Sequence, residues 1–118
     1  MKVLLINPRP DRFTNRQIAP TSPLGLLAVA SYIKAGGHTV KIVDLTVKSE
    51  SIEKHLRDFL PDVVGLSVMS ALASKSAIKI SKIVKKHHKP VIWGGFLASA
   101  LPELCFKEGC VDYIVVGE

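Results

Sequence analysis

Residues 62–70 have the sequence DVVGLSVMS, and residues 90–95 have the sequence PVIWGG. Each stretch is a short apolar run that ends in small residues, a pattern that predicts a buried strand followed by a loop. In a chain that alternates strands with helices, both loops fall at the carboxyl ends of parallel strands, where open α/β sheets bind their ligands. Ser67, Gly94 and Gly95 clear space there for a bulky flat group or a phosphate. We therefore expect the functional site at this edge of the sheet, which we call the carboxyl edge.

The rest of the sequence supplies the alternating elements that this interpretation requires. Apolar runs predict strands at 2–7, 39–45, 63–68, 91–93 and 111–116. Helical periodicity and capping signals predict helices at 24–35, about 52–60, 73–88 and, as a short element, 102–107. Right-handed crossovers then give a parallel sheet with helices on both faces. We predict a flavodoxin-like (Rossmann-like) α/β fold with five strands in the order 2-1-3-4-5.

The length and composition of the chain fit this architecture. A chain of 118 residues is long enough for one domain with its own core. Its hydrophobic content of 47% and mean hydropathy of +0.28 suit a sheet buried on both faces. No apolar stretch reaches the length of a membrane span and no signal-peptide cleavage site follows the start, so we expect a cytoplasmic protein without membrane partners. Because a helix normally follows strand five, we expect residues 1–118 to be one domain of a longer protein.

Several common chemistries are disfavoured by where the polar residues fall. The histidines are predicted to lie away from the carboxyl edge: His38, His55, His87 and His88. Cys105 and Cys110 are too far apart for a zinc or redox pair, so we predict buried thiols and no metal site. The sequence contains neither a GxxxxGK[ST] nor a GxGxxG phosphate-binding motif, and the carboxyl edge has no carboxylate pair for acid–base catalysis. A receiver domain is excluded because Asn7 and Ser67 stand where it needs acidic residues.

The net charge of +6 is concentrated on predicted helix three. No acidic residue occurs between Asp62 and Glu103, and a lysine stripe recurs along one helix face at intervals of 4, 3 and 4 residues: Lys75, Lys79, Lys82 and Lys86. A solvated helix face explains this lysine stripe. A nucleic-acid surface is the alternative, which is weaker because no aromatic residue is interleaved with the lysines.

Eight short segments together carry a family resemblance. They are LLINP at 4–8, PLGLL at 23–27, AGGH at 35–38, VD at 43–44, SVMS at 67–70, GG at 94–95, LPE at 101–103 and VGE at 116–118. In this order and spacing they resemble the N-terminal cobalamin-binding domain of cobalamin-dependent radical S-adenosylmethionine enzymes. The resemblance covers essentially the whole chain.

The resemblance implies a domain that holds cobalamin over the carboxyl edge, with the nucleotide tail of the cofactor between strands. The cofactor-binding residues that it implies are Asn7, Ser67, Met69, Ser70, Gly94, Gly95 and Phe96. A hydroxyl at Ser67 can bond the tail, and glycines allow close backbone approach. Each position also has a structural explanation: Met69 as core filler, the two serines as caps of helix three, and the glycines as a tight turn.

Two departures from the family pattern affect these expectations. The segment after strand one lacks the DxHxxG signature that supplies a histidine to cobalt, so binding without a histidine ligand is expected. Leu97 stands where relatives usually have a second histidine, in the segment GGFLAS at 94–99. The chain also lacks the CxxxCxxC triplet. The resemblance therefore assigns the iron–sulfur cluster and S-adenosylmethionine to a downstream radical S-adenosylmethionine domain, and this chain alone does not catalyse radical chemistry.

Three functions remain open at this point. The first is a cobalamin-binding domain that serves methyl transfer or related radical chemistry in the intact protein. The second is a non-catalytic Rossmann-like scaffold that has lost the cofactor, which Leu97 and the missing cobalt ligand favour. The third is a nucleic-acid-binding module that uses the lysine stripe.

Overall fold

A computed structural model describes residues 1–9, 24–48, 50–69, 71–95, 100, 103, 107 and 109–116. Strands and helices alternate from residue 2 to residue 94. The elements are β1 (Lys2–Asn7), α1 (Leu24–Ala35), β2 (Thr39–Asp44), α2 (Ile52–Phe59), β3 (Val63–Ser67), α3 (Ala71–Lys86), β4 (Val91–Gly94) and β5 (Tyr113–Ile114). Ser70, Phe96 and most of the predicted short helix at 102–107 lie outside the described residues.

The described strands form one parallel sheet in the order β2-β1-β3-β4-β5. This confirms the predicted flavodoxin-like fold and places the reversal of strand order between β1 and β3. The glycine pair after α1 ends that helix as predicted, and a serine caps the start of α2. Gly37 follows α1 with a φ of +91°, and Ser51 caps α2 by accepting a hydrogen bond from the Lys54 N–H at 3.3 Å.

Some predicted boundaries were wrong by a few residues. The predicted strand 111–116 is reduced to Tyr113–Ile114 because β5 pairs only with the four-residue β4. Helix α3 begins at Ala71 and ends at Lys86, two residues earlier at each end than the predicted 73–88. After Lys86 the N–H groups of His87 and His88 donate hydrogen bonds to carbonyls three residues back, which is a tighter turn than an α-helix has. Strands β2 and β3 each end one residue earlier than predicted, and β4 extends one residue further.

The two faces of the sheet are covered unequally. The larger core cluster joins the sheet to α2 and α3, and it includes Leu4, Leu66 and the almost fully buried Trp93. Inside this cluster the indole N–H of Trp93 donates a hydrogen bond of 2.9 Å to the Ser81 hydroxyl. The smaller cluster lies beneath α1 and centres on Val3, Leu5 and Leu26 of β1 and α1.

Helix α1 packs mainly over β1 and β2. Among the described residues, no other helix follows on that side, so the same face of β3, β4 and β5 is left open beside α1. The candidate site lies on this uncovered face of the sheet, beside α1.

Candidate functional site

A cavity of about 790 Å³ lies between α1 and the open face of β3 and β4. Its floor is made of strand residues that point away from α3: Gly65, Ser67, Ile92 and Gly94. Their neighbours Val64, Leu66, Val91 and Trp93 are buried on the other face. Since side chains alternate along a strand, burying the large residues under α3 leaves two glycines, a serine and one isoleucine to form the cavity floor.

Two glycines deepen this floor. Gly94 pairs in register with Ser67, and a Cβ atom built on Gly94 meets nothing within 4 Å. Gly65 pairs with Ile92, and a Cβ atom there would lie 2.9 Å from Cδ2 at the flexible end of Leu5 and in ordinary contact, at 3.9 Å, with the Ile92 carbonyl oxygen. A side chain at Gly94 would therefore extend into empty space, which is the space that the cavity occupies.

Gly95 has a different role from its neighbour. Its φ is +102°, and a Cβ atom on it would lie 2.8 Å from the Val68 carbonyl oxygen and 3.1 Å from the Met69 sulfur. The Val68 N–H also donates a 2.7 Å hydrogen bond to the Gly94 carbonyl. The loops after β3 and β4 thus pack tightly together, and Gly95 is required by backbone conformation and by close approach. The tight-turn explanation suits Gly95 but not Gly94.

One flank of α1 forms the wall of the cavity. Gly25, Val29 and Tyr32 lie on it, while Leu26 and Ile33 turn toward the sheet. Val29 is 48% exposed and Tyr32 85% exposed. An apolar helix flank left this open beside an apolar sheet face provides a hydrophobic surface for a ligand or a further packed element.

The cavity has very little polar character. Ser67 and Tyr32 supply its hydroxyl groups, and Met69 adds a thioether at the rim, which is a weak acceptor. No carboxylate, lysine, arginine or histidine occurs among the described lining residues. The described residues also contain no group of three or more metal-ligating side chains. The described lining can hold an apolar ring system, and Tyr32 is the one lining residue among those described whose side chain could transfer a proton.

The structure brings together four of the residues that the resemblance implied: Ser67, Met69, Gly94 and Gly95. Met69 is 57% exposed, which argues against its being core filler. Ser67 is the last residue of β3, four positions before α3 begins, which argues against a helix cap. Ser70 and Phe96 lie outside the described residues.

Asn7 lies at the carboxyl edge but does not line the cavity. Its amide donates a 3.1 Å hydrogen bond to Asp44 Oδ1, which also accepts the Thr46 hydroxyl at 2.6 Å and the Thr46 N–H at 3.0 Å. These bonds join the ends of β1 and β2 on the far side of the switch point. Through its hydrogen bond to Asp44, Asn7 stabilises the edge of the sheet beside the cavity.

The remaining charged and titratable groups lie elsewhere. The lysine stripe is exposed along α3, on the opposite side of the sheet from the cavity. The neighbouring Lys85 instead pairs with Asp112 at 2.9 Å, and this contact, aided by the Val91 N–H, lowers the pKa of Asp112 below its usual value. His55 pairs with Glu50 at 3.1 Å. Cys110 is buried, as predicted.

Sequence reasoning missed the lower half of the cavity. Gly65, Ile92 and the α1 flank at Val29 and Tyr32 carried no motif, and the site was expected at the strand ends alone. The two-residue period of a strand contained the signal. Gly65 shares a face with Ser67, and Ile92 shares a face with Gly94, so a site at the strand ends extends down that face.

Comparisons with known proteins give one family match and two curated relatives. A family model described as B12 binding domain matches residues 19–118. Cytidylyl-2-hydroxyethylphosphonate methyltransferase of Streptomyces wedmorensis is 27% identical over 140 residues, covering 99% of this chain and 26% of that protein. Hopanoid C-3 methylase of Methylococcus capsulatus is 30% identical over 123 residues, covering 100% of this chain and 24% of that protein. The chain thus spans about a quarter of the length of these curated relatives.

Solved structures share the fold. A cobalamin-binding protein from Desulfitobacterium hafniense superposes with a TM-score of 0.69 at 18% identity, over 97% of this chain and 52% of that one. The response regulator TrrA from Thermotoga maritima gives a TM-score of 0.58 at 17% identity, over 99% of this chain and 86% of that one. Receiver domains therefore share this architecture, while Asn7 and Ser67 replace the acidic residues that their chemistry needs. In the part of the chain that is described, no helix is long and apolar enough to cross a membrane.

Proposed function

This chain belongs to the B12-binding domain family, and we propose from that membership that its cavity holds the nucleotide tail of cobalamin, with the corrin ring over the carboxyl edge. The observation that carries the proposal is the floor of the cavity. Gly65 and Gly94 remove side chains from two paired strands on the same face, and nothing else in the described fold fills the space above Gly94.

The residues present fit this group. The cavity volume of about 790 Å³ lies within the range of about 300–1,000 Å³ that is usual for small-molecule sites. Ile92, Val29 and Val115 supply apolar surface for a flat ring system, and the Ser67 hydroxyl can bond the tail. When bound, cobalamin supplies a cobalt centre that carries a methyl group. The chain itself binds the tail, orients the ring and excludes water from the apolar part of the tail.

Cobalt has no histidine ligand from this chain under our proposal. The sequence has four histidines, and none of them lines the described cavity: His38, His55, His87 and His88. The segment 10–23, which follows β1 and lies outside the described residues, contains no histidine. A cobalamin held with its tail in the cavity would therefore take no histidine ligand from the described lining.

The intact protein would use this domain in methyl transfer. The two curated relatives are named a methyltransferase and a methylase, and each is about four times longer than the part matched. We assign the iron–sulfur cluster and S-adenosylmethionine to a downstream radical S-adenosylmethionine domain, on the family resemblance, and the whole protein to the cytoplasm.

Titration with cobalamin tests the proposal. The full chain is titrated with hydroxocobalamin and methylcobalamin while visible absorption and heat are recorded. We expect saturable binding with a shift toward the spectrum in which the base is off cobalt. Gly94→Val adds a Cβ atom that meets nothing within 4 Å, with two methyl groups beyond it in the cavity, and should weaken binding at least about tenfold, which corresponds to 1.4 kcal/mol.

The matched control is Ser31→Val, on the exposed side of α1 away from the cavity, which should leave the affinity unchanged. A folded chain that binds neither cobalamin at high micromolar concentration would contradict the proposal and favour the scaffold function. An unaltered affinity in Gly94→Val would place the tail elsewhere.

A further inference from the structure

We propose that the cavity discriminates between corrinoids by their nucleotide base, and that it takes a dimethylbenzimidazole tail in preference to an adenine tail. This inference rests on the proposed function, because it concerns the same cavity. Natural corrinoids differ in this base, so the selectivity would decide which of them the protein uses.

The argument begins with the hydrogen-bonding groups that the described cavity offers. Ser67 has one hydroxyl on the floor, where β3 ends. Tyr32 has the second, but this side chain is 85% exposed, so its hydroxyl lies at the water-facing side. The other lining side chains of the floor and wall, among them Gly65, Ile92 and Val29, carry no nitrogen or oxygen. Among the described side chains of the lining, Ser67 therefore offers the one sheltered hydroxyl to a buried base.

The two bases differ in how many polar atoms they bring. A dimethylbenzimidazole released from cobalt exposes one free ring nitrogen, and its remaining edge is made of carbon atoms and two methyl groups. Adenine exposes that same kind of nitrogen, two further ring nitrogens and an exocyclic amine. The Ser67 hydroxyl can satisfy the single nitrogen of the first base. Three additional polar groups of the second base would lose water without gaining a side-chain partner among the described lining residues.

The penalty for this mismatch is large enough to measure. A buried polar group left without a partner reduces affinity by roughly 5- to 100-fold. Because the cavity is open on one side, part of an adenine edge keeps its water, so we expect the lower half of this range for the whole base. Ile92 and Val29 also line the cavity and would give apolar contact to the methyl groups of dimethylbenzimidazole.

A comparison of the affinities of three corrinoids tests the inference. The full chain is titrated with hydroxocobalamin, with the hydroxo form of the adenine analogue, and with cobinamide, which has the corrin ring but no nucleotide. We expect hydroxocobalamin to bind about 5- to 20-fold more tightly than the adenine analogue. We expect cobinamide to bind more weakly than hydroxocobalamin, since it leaves the cavity empty.

A pair of variants at one position localises the effect. Val29 is on the wall and is 48% exposed, so a polar residue there does not disturb the core. Val29→Gln supplies a donor and an acceptor and should reduce the preference for hydroxocobalamin at least about threefold, while the apolar control Val29→Leu should preserve it. Circular dichroism establishes that both variants fold.

The outcomes separate the two proposals. Equal affinities for hydroxocobalamin and the adenine analogue would overturn the selectivity while leaving cobalamin binding in place. Cobinamide binding as tightly as hydroxocobalamin would also overturn it, because the base would then contribute nothing. Failure of all three corrinoids to bind a folded chain would overturn the proposed function itself.

Discussion

Replacing Gly94 and Gly95 by alanine, one at a time, should have opposite effects on stability although the residues are adjacent. Gly94 is in a strand, and an added Cβ atom meets nothing within 4 Å. Alanine there restricts the unfolded chain and should stabilise the protein by about 0.4–1 kcal/mol. The same methyl group protrudes into the cavity, so cobalamin affinity should fall while stability rises.

Gly95→Ala should be clearly destabilising. An alanine at a φ of +102° costs about 1–3 kcal/mol in backbone strain. Its Cβ atom would also lie 2.8 Å from the Val68 carbonyl oxygen, a backbone atom that moves only with its loop. Overpacking of this kind costs about 1–3 kcal/mol. The sum, about 2–6 kcal/mol, is a large part of the roughly 5–15 kcal/mol that keeps a domain folded.

Trp93 reports this difference directly. It is the only tryptophan in the sequence, is 1% exposed and immediately precedes the pair. Its fluorescence during urea denaturation gives the free energy of unfolding for the wild type, Gly94→Ala and Gly95→Ala. The reasoning would be refuted if Gly94→Ala destabilised the protein as much as Gly95→Ala, or if Gly95→Ala left the denaturation midpoint unchanged.

Three further predictions concern residues outside the cavity. Ser81→Ala leaves the buried Trp93 indole N–H without its partner and should cost about 1–3 kcal/mol in urea denaturation; an unchanged midpoint would mean that this hydrogen bond is energetically neutral. The pKa of Asp112 is lowered in the folded state, chiefly by its hydrogen bond from Lys85. The ionised carboxylate therefore stabilises the fold at pH values above its unfolded pKa, near 3.8, and this stabilisation is lost as the pH falls through the lower folded pKa. Unfolding measured between pH 2 and 6 should therefore show a shallower loss of stability in Asp112→Asn than in the wild type, and parallel curves would contradict this assignment. Lys79→Glu, on the lysine stripe, should leave corrinoid affinity unchanged because α3 lies across the sheet from the cavity, and a change in affinity would connect the two faces.

The sequence was sufficient to predict the order of strands and helices and their assembly into a parallel sheet. The apolar run at 63–66 and the run at 91–93 are continuous, as they must be in strands buried on both faces. The glycine pair after α1 predicted the end of that helix correctly. Element boundaries were less accurate. The length of β5, for example, depends on its single neighbour β4 rather than on its own residues.

The segments that meet at the site were also predictable from the sequence, but the role of each residue there depends on the tertiary structure. The sequence motif gives Gly94 and Gly95 the same role. Only the packing of the loop after β3 shows that Gly94 opens the cavity and that Gly95 permits the close approach of the two loops. Gly65 became part of the floor because its register with Ile92 puts both on the face that α1 leaves uncovered. Strand periodicity is local and can be predicted from sequence. Which face stays open depends on where a helix distant in sequence packs, and that is a property of the whole fold.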